Sequence, residues 1–205
     1  MSLPAGTVAL IDNGGANVAS VVHALERLGV AAERTASPER IAAADRVILP
    51  GVGAAADAMA RLQASGLDRL IPTLTQPVLG ICLGMQLLFA GSDEGNVACL
   101  GVMPGRATRF PTGGLPVPHM GWNELRVVRP HALLTGLKDG DYAYFVHSYA
   151  LPVSADTLVT ADYGHEFTAI AARGNFHGAQ FHPERSARVG SLLLANFLRL
   201  PAGSR

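Results

Sequence analysis

The feature that most constrains the fold is an alternation of short apolar runs with helical patterns in the first half of the chain. Thr7–Ile11 is a β-prone run, and the apolar residues after it recur at helical spacing as far as Gly29. Arg46–Leu49 and Pro77–Ile81 are two further apolar runs that are typical of buried strands. This alternation predicts an α/β fold with a largely parallel sheet and helices on both of its faces.

Shorter signals complete this half of the chain. Val30–Thr35 is a further strand candidate, and Ser37 followed by Pro38 indicates the start of a helix. The alanine-rich segment Ala54–Ala64 predicts another helix, and a helical pattern also follows Cys82 directly.

After about Gly91 the chain changes to β-prone segments divided by Gly and Pro. The predicted segments are Arg106–Phe110, Leu125–Val128, Tyr142–Val146, Thr157–Ala161, Phe167–Ala172 and Phe176–Phe181. They can extend the same sheet or form a second one, and an apolar helix over Val189–Leu200 closes the chain. Because we find no internal repeat and no long linker, we expect residues 1–205 to form one domain.

Composition narrows the classes of function. The 205 residues are 49% apolar and carry a formal net charge of +0, with no cluster of Lys and Arg. A nucleic-acid partner is therefore not expected, whereas a small-molecule substrate or a protein partner is. No apolar stretch approaches the roughly 18 residues of a membrane span, and the first residues lack the charged region of a signal peptide. We expect a cytoplasmic protein without a membrane segment, in which Cys82 and Cys99 stay reduced.

The strongest local motif is Leu79–Gly84, where an apolar strand stops at Cys82 and a helix begins at once. Glycines two residues before and two residues after the cysteine permit the tight, strained turn that exposes a nucleophile above a sheet. At the start of a helix, free N–H groups and the helix dipole stabilise a thiolate. The alternative is a small cysteine buried in the core, and the motif alone leaves both interpretations open.

A thiolate needs a proton-transfer partner, and His182 is the best candidate among seven histidines. It follows the predicted strand Phe176–Phe181, and Glu184 lies two residues further on, where it can fix the tautomer of the ring. Pro183 restricts the backbone between the two residues. An ordinary pair of loop residues is the alternative.

The other histidines give weaker signals. His23 lies near the apolar stripe of the first predicted helix. His119 and His147 lie in the richer segments Pro118–Asn123 and Phe145–Tyr149, and packing at loop turns is the alternative interpretation for both. His131, His165 and His177 have no patterned carboxylate or cysteine partner, so neither a metal site nor a cofactor is expected.

Five stretches carry a resemblance to a known family. They are Leu49–Gly53, Pro77–Gln86, Pro118–Asn123, Tyr144–Tyr149 and Gln180–Ser186. Together they resemble the glutaminase subunits of imidazole glycerol phosphate synthase, from histidine biosynthesis, over nearly the whole chain from Ile11 to about Leu198. The cysteine and histidine stretches are shared by the class I (triad) glutamine amidotransferases in general. The segment Pro118–Asn123 and the glycine turn Pro50–Gly53 indicate the imidazole glycerol phosphate synthase branch of that class.

The resemblance implies a flavodoxin-like class I amidotransferase fold with extra antiparallel strands in its second half. It also implies that Cys82 attacks the side-chain amide of glutamine, that His182 transfers the protons and that Glu184 orients His182. An oxyanion hole would use backbone N–H groups of Leu83 and of the turn at Val52 and Gly53. The positions that match glutamine contacts in the family are Gly51, Gln86, Glu94, Ser148 and Tyr149.

The family also implies a partner, a cyclase subunit with a (β/α)₈ barrel that receives the ammonia in a heterodimer. Asn13, Asn17, Trp122 and Arg185 match places that face this partner. The segment Asp12–Asn17 departs from the family pattern because it lacks the usual aromatic residue, which leaves that contact of the interface open.

Two other functions are compatible with the sequence. One is a class I glutaminase that serves purine, pyrimidine, anthranilate or pyridoxal phosphate synthesis. The second is a non-catalytic α/β binding module in which Cys82 and His182 only pack against their neighbours.

Overall fold

The computed structural model describes residues 6–12, 14, 18–111 and 114–202. The first half contains β1 (Val8–Ile11), α1 (Val18–Arg27), β2 (Ala32–Thr35), α2 (Pro38–Ala43), β3 (Arg46–Gly51), α3 (Ala55–Ala64), α4 (Leu67–Leu70), β4 (Val78–Cys82), α5 (Leu83–Leu88) and β5 (Phe89–Ser92). The second half contains β6 (Val97–Ala98), β7 (Met103–Arg109), β8 (His119–Glu124), β9 (Arg126–Val127), β10 (Tyr142–His147), β11 (Tyr149–Ala150), β12 (Thr157–Asp162), β13 (Glu166–Arg173), β14 (Phe176–Ala179) and α6 (Ala187–Arg199). Short 3₁₀ turns cover Ile71–Thr73, Ala132–Leu134 and Pro183–Arg185.

The central sheet has eight strands in the order β2-β1-β3-β4-β14-β13-β12-β9. The first five strands are mutually parallel, and the last three pair antiparallel. With β14 as the fifth parallel strand, the order is the flavodoxin-like 2-1-3-4-5 arrangement. The predicted α/β fold, with a mostly parallel sheet and additional antiparallel strands, is therefore confirmed.

The β-prone segments of the second half divide among three sheets. The strands β9, β12, β13 and β14 extend the central sheet, whereas β8 and β10 form a separate antiparallel ribbon. A third sheet has the order β11-β7-β5-β6. His119 and His147 are strand residues that face each other across the β8–β10 ribbon, and not the loop-turn residues of the alternative interpretation.

Both faces of the central sheet are buried, which explains the near-continuous apolar runs of its parallel strands. Successive residues of β1 face opposite sides, so Leu10 belongs to the core beneath α1 and α6 and Ile11 to the core beneath α2 and α3. Each of the two residues is 0% exposed. The ends of the strands of this sheet carry the loops of the site.

The start of α2 agrees with the local sequence signal. The Ser37 hydroxyl accepts a hydrogen bond from the Arg40 backbone N–H at 3.3 Å, and Pro38 occupies the first turn of α2, as predicted. Among the residues that the structure describes, no helix has both the length and the apolar character needed to span a bilayer.

Candidate active site

Cys82 ends β4 and is the residue from which α5 begins. Its backbone has φ 53° and ψ −112°, a left-handed conformation that costs a non-glycine residue about 1–3 kcal/mol. The side chain is 7% exposed. The strained strand-to-helix turn that the sequence predicted is therefore present.

Three glycines let the backbone approach closely enough to build this turn. A Cβ on Gly84 would lie 1.9 Å from the Leu49 carbonyl oxygen, and one on Gly80 would lie 2.6 Å from the Gly84 carbonyl oxygen. A Cβ on Gly51 would lie 2.6 Å from the Gly84 nitrogen. Any side chain at these positions would push α5 away from the ends of β3 and β4 and displace Cys82.

His182 follows β14 and begins the 3₁₀ turn Pro183–Arg185. Its backbone N–H donates to the Tyr144 carbonyl at 3.0 Å, and the Ser186 hydroxyl donates to the His182 carbonyl at 2.7 Å. The turn also packs directly on α6, because a Cβ on Gly190 would lie 1.8 Å from the Pro183 carbonyl oxygen. These contacts fix the backbone that carries the imidazole.

The His182 ring connects two other side chains. Its Nδ1 lies 2.9 Å from Glu184 Oε1, and the ring also hydrogen-bonds to Cys82, for which Nε2 is the remaining nitrogen. Burial alone would lower the pKa of His182, but the hydrogen bonds and charges of Cys82 and Glu184 outweigh burial and raise it to about 10. The ring therefore carries a proton at neutral pH.

A cavity of about 420 Å³ opens over Cys82. It is lined by Val52, Gly53, Cys82, Leu83, Gln86, Glu94, Pro118, Val146, His147, Ser148, Tyr149, His182 and Arg185. All of the residues predicted for the oxyanion hole line it, as do four of the five predicted for glutamine. The exception, Gly51, lines a small pocket behind the turn together with Val52 and His182.

Two of the predicted glutamine contacts also have partners within the protein. The Gln86 amide nitrogen donates to the Tyr149 carbonyl and to Gln180 Oε1, each at 2.9 Å. One carboxylate oxygen of Glu94 accepts the Ala55 backbone N–H at 2.9 Å. The start of α3 thus holds the Glu94 carboxylate at the cavity wall.

The residues predicted to face a partner fall into three groups. Trp122 is 52% exposed on the β8–β10 ribbon and packs edge-to-face on Tyr144. Arg185 lines the cavity and places its guanidinium 4.4 Å from the centre of the same Tyr144 ring. Asn13 and Asn17 lie outside the described residues.

The second cysteine differs from the first in its surroundings. Cys99 is a free, half-buried thiol, and burial raises its pKa to about 11. At neutral pH it is protonated, so it is a poor nucleophile.

The sequence did not identify two groups beside the sulfur and one further residue of the cavity wall. The Val146 carbonyl lies 3.8 Å from Cys82 Sγ, and the Gln180 amide nitrogen lies at the same distance. His147, a residue of the cavity wall, is hydrogen-bonded to His119 at 2.9 Å. The only sequence signal for these residues is that they lie in Tyr144–Tyr149 and Gln180–Ser186, two of the stretches that carry the family resemblance.

Comparisons with known proteins agree with this fold. A family model described as Glutamine amidotransferase class-I matches residues 9–200. The match covers nearly the whole chain, which therefore belongs to the class I glutamine amidotransferase family.

Similar sequences define the branch of this family. The imidazole glycerol phosphate synthase subunit HisH of Xanthomonas campestris pv. campestris (strain 8004) is 55% identical over 194 residues, which cover 94% of this chain and 97% of that protein. The HisH subunit of Xylella fastidiosa (strain Temecula1) is 52% identical over 196 residues, which cover 95% of this chain and 98% of that protein. Within the class, the chain is a member of the HisH family.

Solved structures show the same fold at low sequence identity. A crystal structure described as a glutamine amidotransferase has a TM-score of 0.72 at 19% identity, with 94% of this chain and 97% of that chain covered. A protein from Thermoplasma acidophilum, described as part of a GMP synthase, also has a TM-score of 0.72, at 18% identity and with 95% and 94% covered.

Proposed function

We propose that this chain is the glutaminase subunit of an imidazole glycerol phosphate synthase, with Cys82 as its nucleophile. The observation that carries the proposal is the Cys82 thiol at a strained strand end, hydrogen-bonded to a His182 ring that Glu184 holds from the other side. A thiol, a proton carrier and an orienting carboxylate are the groups that thioester chemistry requires.

The first half-reaction forms a thioester. The Cys82 thiolate adds to the side-chain carbonyl carbon of glutamine, and backbone N–H groups of Leu83 and of the Val52–Gly53 turn stabilise the oxyanion. The carbon–nitrogen bond then breaks, and the protonated His182 ring donates its proton so that the nitrogen leaves as ammonia.

The second half-reaction regenerates the enzyme. His182, now neutral, takes a proton from water, and the water oxygen attacks the thioester carbon. The sulfur–carbon bond breaks, glutamate leaves, and the thiolate and imidazolium return to their starting states. Glu184 holds Nδ1 throughout, so that Nε2 faces the reacting atoms in both steps.

The charges of the cavity suit the free amino acid. Glu94 and Arg185 are carboxylate and guanidinium groups of its wall, and glutamine carries an ammonium and a carboxylate at its Cα end. Gln86, Ser148 and Tyr149 lie on the same wall, where they are suited to hold the polar atoms of the substrate. Gly51 acts from behind the oxyanion turn.

We further propose that the ammonia passes to a cyclase subunit in a cytoplasmic heterodimer. The β8–β10 ribbon supports this, because Met120 and Trp122 are 62% and 52% exposed on it. Trp122 packs on the Tyr144 ring that the Arg185 guanidinium also covers. Exposed apolar side chains clustered in this way are typical of a protein interface. Asn13 and Asn17 remain predicted contacts.

The test compares Cys82→Ala with Cys99→Ala as its matched control. We measure ammonia release from glutamine with and without the cyclase and its nucleotide ligand. We expect stimulation by the liganded cyclase, loss of turnover in Cys82→Ala and full turnover in Cys99→Ala. Undiminished ammonia release by a folded Cys82→Ala would refute the mechanism, and stimulation by the synthase of another pathway alone would refute the assigned partner.

A further inference from the structure

Gln180 is a buried polar residue next to the sulfur that the mechanism above does not use. It directly follows β14 and is 0% exposed, and its backbone N–H donates to the Ala169 carbonyl at 2.9 Å. Its side-chain nitrogen lies 3.8 Å from Cys82 Sγ. A buried amide needs partners for its hydrogens, and the sulfur is one of them.

The orientation of the Gln180 amide follows from an acceptor that cannot donate. The Tyr149 backbone carbonyl faces the Gln86 side chain at 2.9 Å, so the Gln86 group turned toward it must be the NH₂. The same NH₂ faces Gln180 at 2.9 Å and so requires the Gln180 oxygen there. The NH₂ of Gln180 is left to face Cys82 Sγ.

The Tyr149 carbonyl is held by a second donor. His147 Nδ1 lies 2.8 Å from it and therefore carries the hydrogen, which leaves His147 Nε2 to accept from His119 Nδ1 at 2.9 Å. Asn123 then donates to His119 Nε2 at 3.3 Å. The direction of every hydrogen bond from Asn123 to the Tyr149 carbonyl is thus determined.

This arrangement needs both histidines neutral. Burial lowers the pKa of His119 to about 4. Burial is also the main cause that lowers the pKa of His147 to about 3, although its bond to the Tyr149 carbonyl acts in the opposite direction. Both rings are therefore uncharged at neutral pH, so His147 Nε2 accepts from His119 and His119 Nε2 accepts from Asn123.

We propose that Gln180 is a further catalytic residue, whose side-chain N–H donates to Cys82 Sγ and stabilises the thiolate in the pose that attacks glutamine. The sulfur then has a partner in either protonation state. As a thiol it donates to the Val146 carbonyl at 3.8 Å, and as a thiolate it accepts from Gln180 and His182. The role rests on the proposed function of Cys82 as the nucleophile.

The test measures the rate at which iodoacetamide alkylates Cys82 of the full chain as a function of pH, with the modified peptide identified by mass spectrometry. Other charged or titratable groups face the same cavity, namely His147, Glu94, Tyr149, His182 and Arg185, with Glu184 behind His182. They are common to wild type and variant, so the difference between two profiles reports the substituted residue.

We expect Gln180→Met to move the midpoint of the profile upward by about one pH unit, because a hydrogen bond to a charged group is lost. The matched control is Gln76→Met, since Gln76 is also buried and donates to a backbone carbonyl far from the cavity, that of Ile41 at 3.0 Å. Its midpoint should equal that of the wild type. A role confined to packing predicts no shift in either variant.

A folded Gln180→Met with the wild-type midpoint would overturn the proposal. If that variant does not fold, Gln180→Glu retains the size of the side chain and an acceptor for Gln86 but places a carboxylate oxygen against the sulfur. We expect its midpoint to rise further, and an unchanged midpoint would equally overturn the role of Gln180. Cys82→Ala is assayed for ammonia release alongside. If it is active, the proposed function fails, whereas an inactive Cys82→Ala with unshifted Gln180 variants removes only this inference.

Discussion

The backbone strain at Cys82 predicts that a glycine at this position is more stable than an alanine. The conformation φ 53°, ψ −112° is the mirror image of a common extended one. Glycine adopts such mirror-image conformations readily, whereas a residue with a Cβ does so only at a cost. Cys82→Gly and Cys82→Ala both lose the thiol, so the difference between them isolates the effect of the Cβ.

The size of the effect follows from two opposing contributions. A left-handed conformation costs a non-glycine residue about 1–3 kcal/mol in the native state. The alanine variant regains about 0.4–1 kcal/mol of stability, because alanine has less conformational freedom than glycine in the unfolded chain. We therefore expect Cys82→Gly to have a free energy of unfolding about 1 kcal/mol above that of Cys82→Ala. For a chain of this size, that corresponds to roughly 2–4 °C in Tm.

The assay is urea denaturation followed by circular dichroism, with Cys99 as the matched control. Cys99 is not among the described non-glycine residues with positive φ. Cys99→Gly should therefore be less stable than Cys99→Ala, by about 0.4–1 kcal/mol. The order of stability should reverse between the two sites. The reasoning is refuted if Cys82→Gly is less stable than Cys82→Ala by the same amount as the Cys99 pair.

Three further predictions rest on the same contacts. His182→Ala should lower glutaminase turnover at least about 100-fold. Glu184→Gln should lower it less, since the amide retains an acceptor oxygen for His182 Nδ1. Equal losses in a steady-state ammonia assay would contradict this. Burial is the main cause that lowers the pKa of His177 to about 4. Between that pH and about 6.5 the unfolded chain therefore binds a proton that the native state does not, and the free energy of unfolding rises with pH. His177→Leu should reduce that slope by up to about 1.4 kcal/mol per pH unit in urea titrations at several pH values, and an unchanged slope would contradict the buried neutral ring. Gly84→Ala should lower the free energy of unfolding by more than about 3 kcal/mol, because its Cβ would meet the Leu49 carbonyl oxygen at 1.9 Å. Gly114→Ala has open space around its Cβ, so thermal denaturation should show almost no change in stability.

Sequence reasoning was most successful where the signal is local. The strand-to-helix turn at Cys82 and the cap at Ser37 depend on a few neighbouring residues, and the structure has both. Strand β8 was missed because its pairing with β10 joins residues such as His119 and His147 that are distant in sequence. For the same reason the sequence could not show that Gln86 contacts Gln180, nor that Arg185 lines the cavity.

The register of the parallel strands explains why the groups of the site meet. Gly51 pairs with Cys82 across β3 and β4, so the oxyanion turn begins beside the nucleophile. On the other side, Ala179 of β14 pairs with Ile81, which places the next residue, Gln180, next to Cys82. The carboxyl ends of neighbouring parallel strands lie at one edge of the sheet, where ligands of such folds bind. His182 reaches the sulfur because only two residues separate it from the last paired residue of β14. Inserting a single residue between Ala179 and Gln180 would turn both side chains away from the sulfur while leaving each motif readable in the sequence.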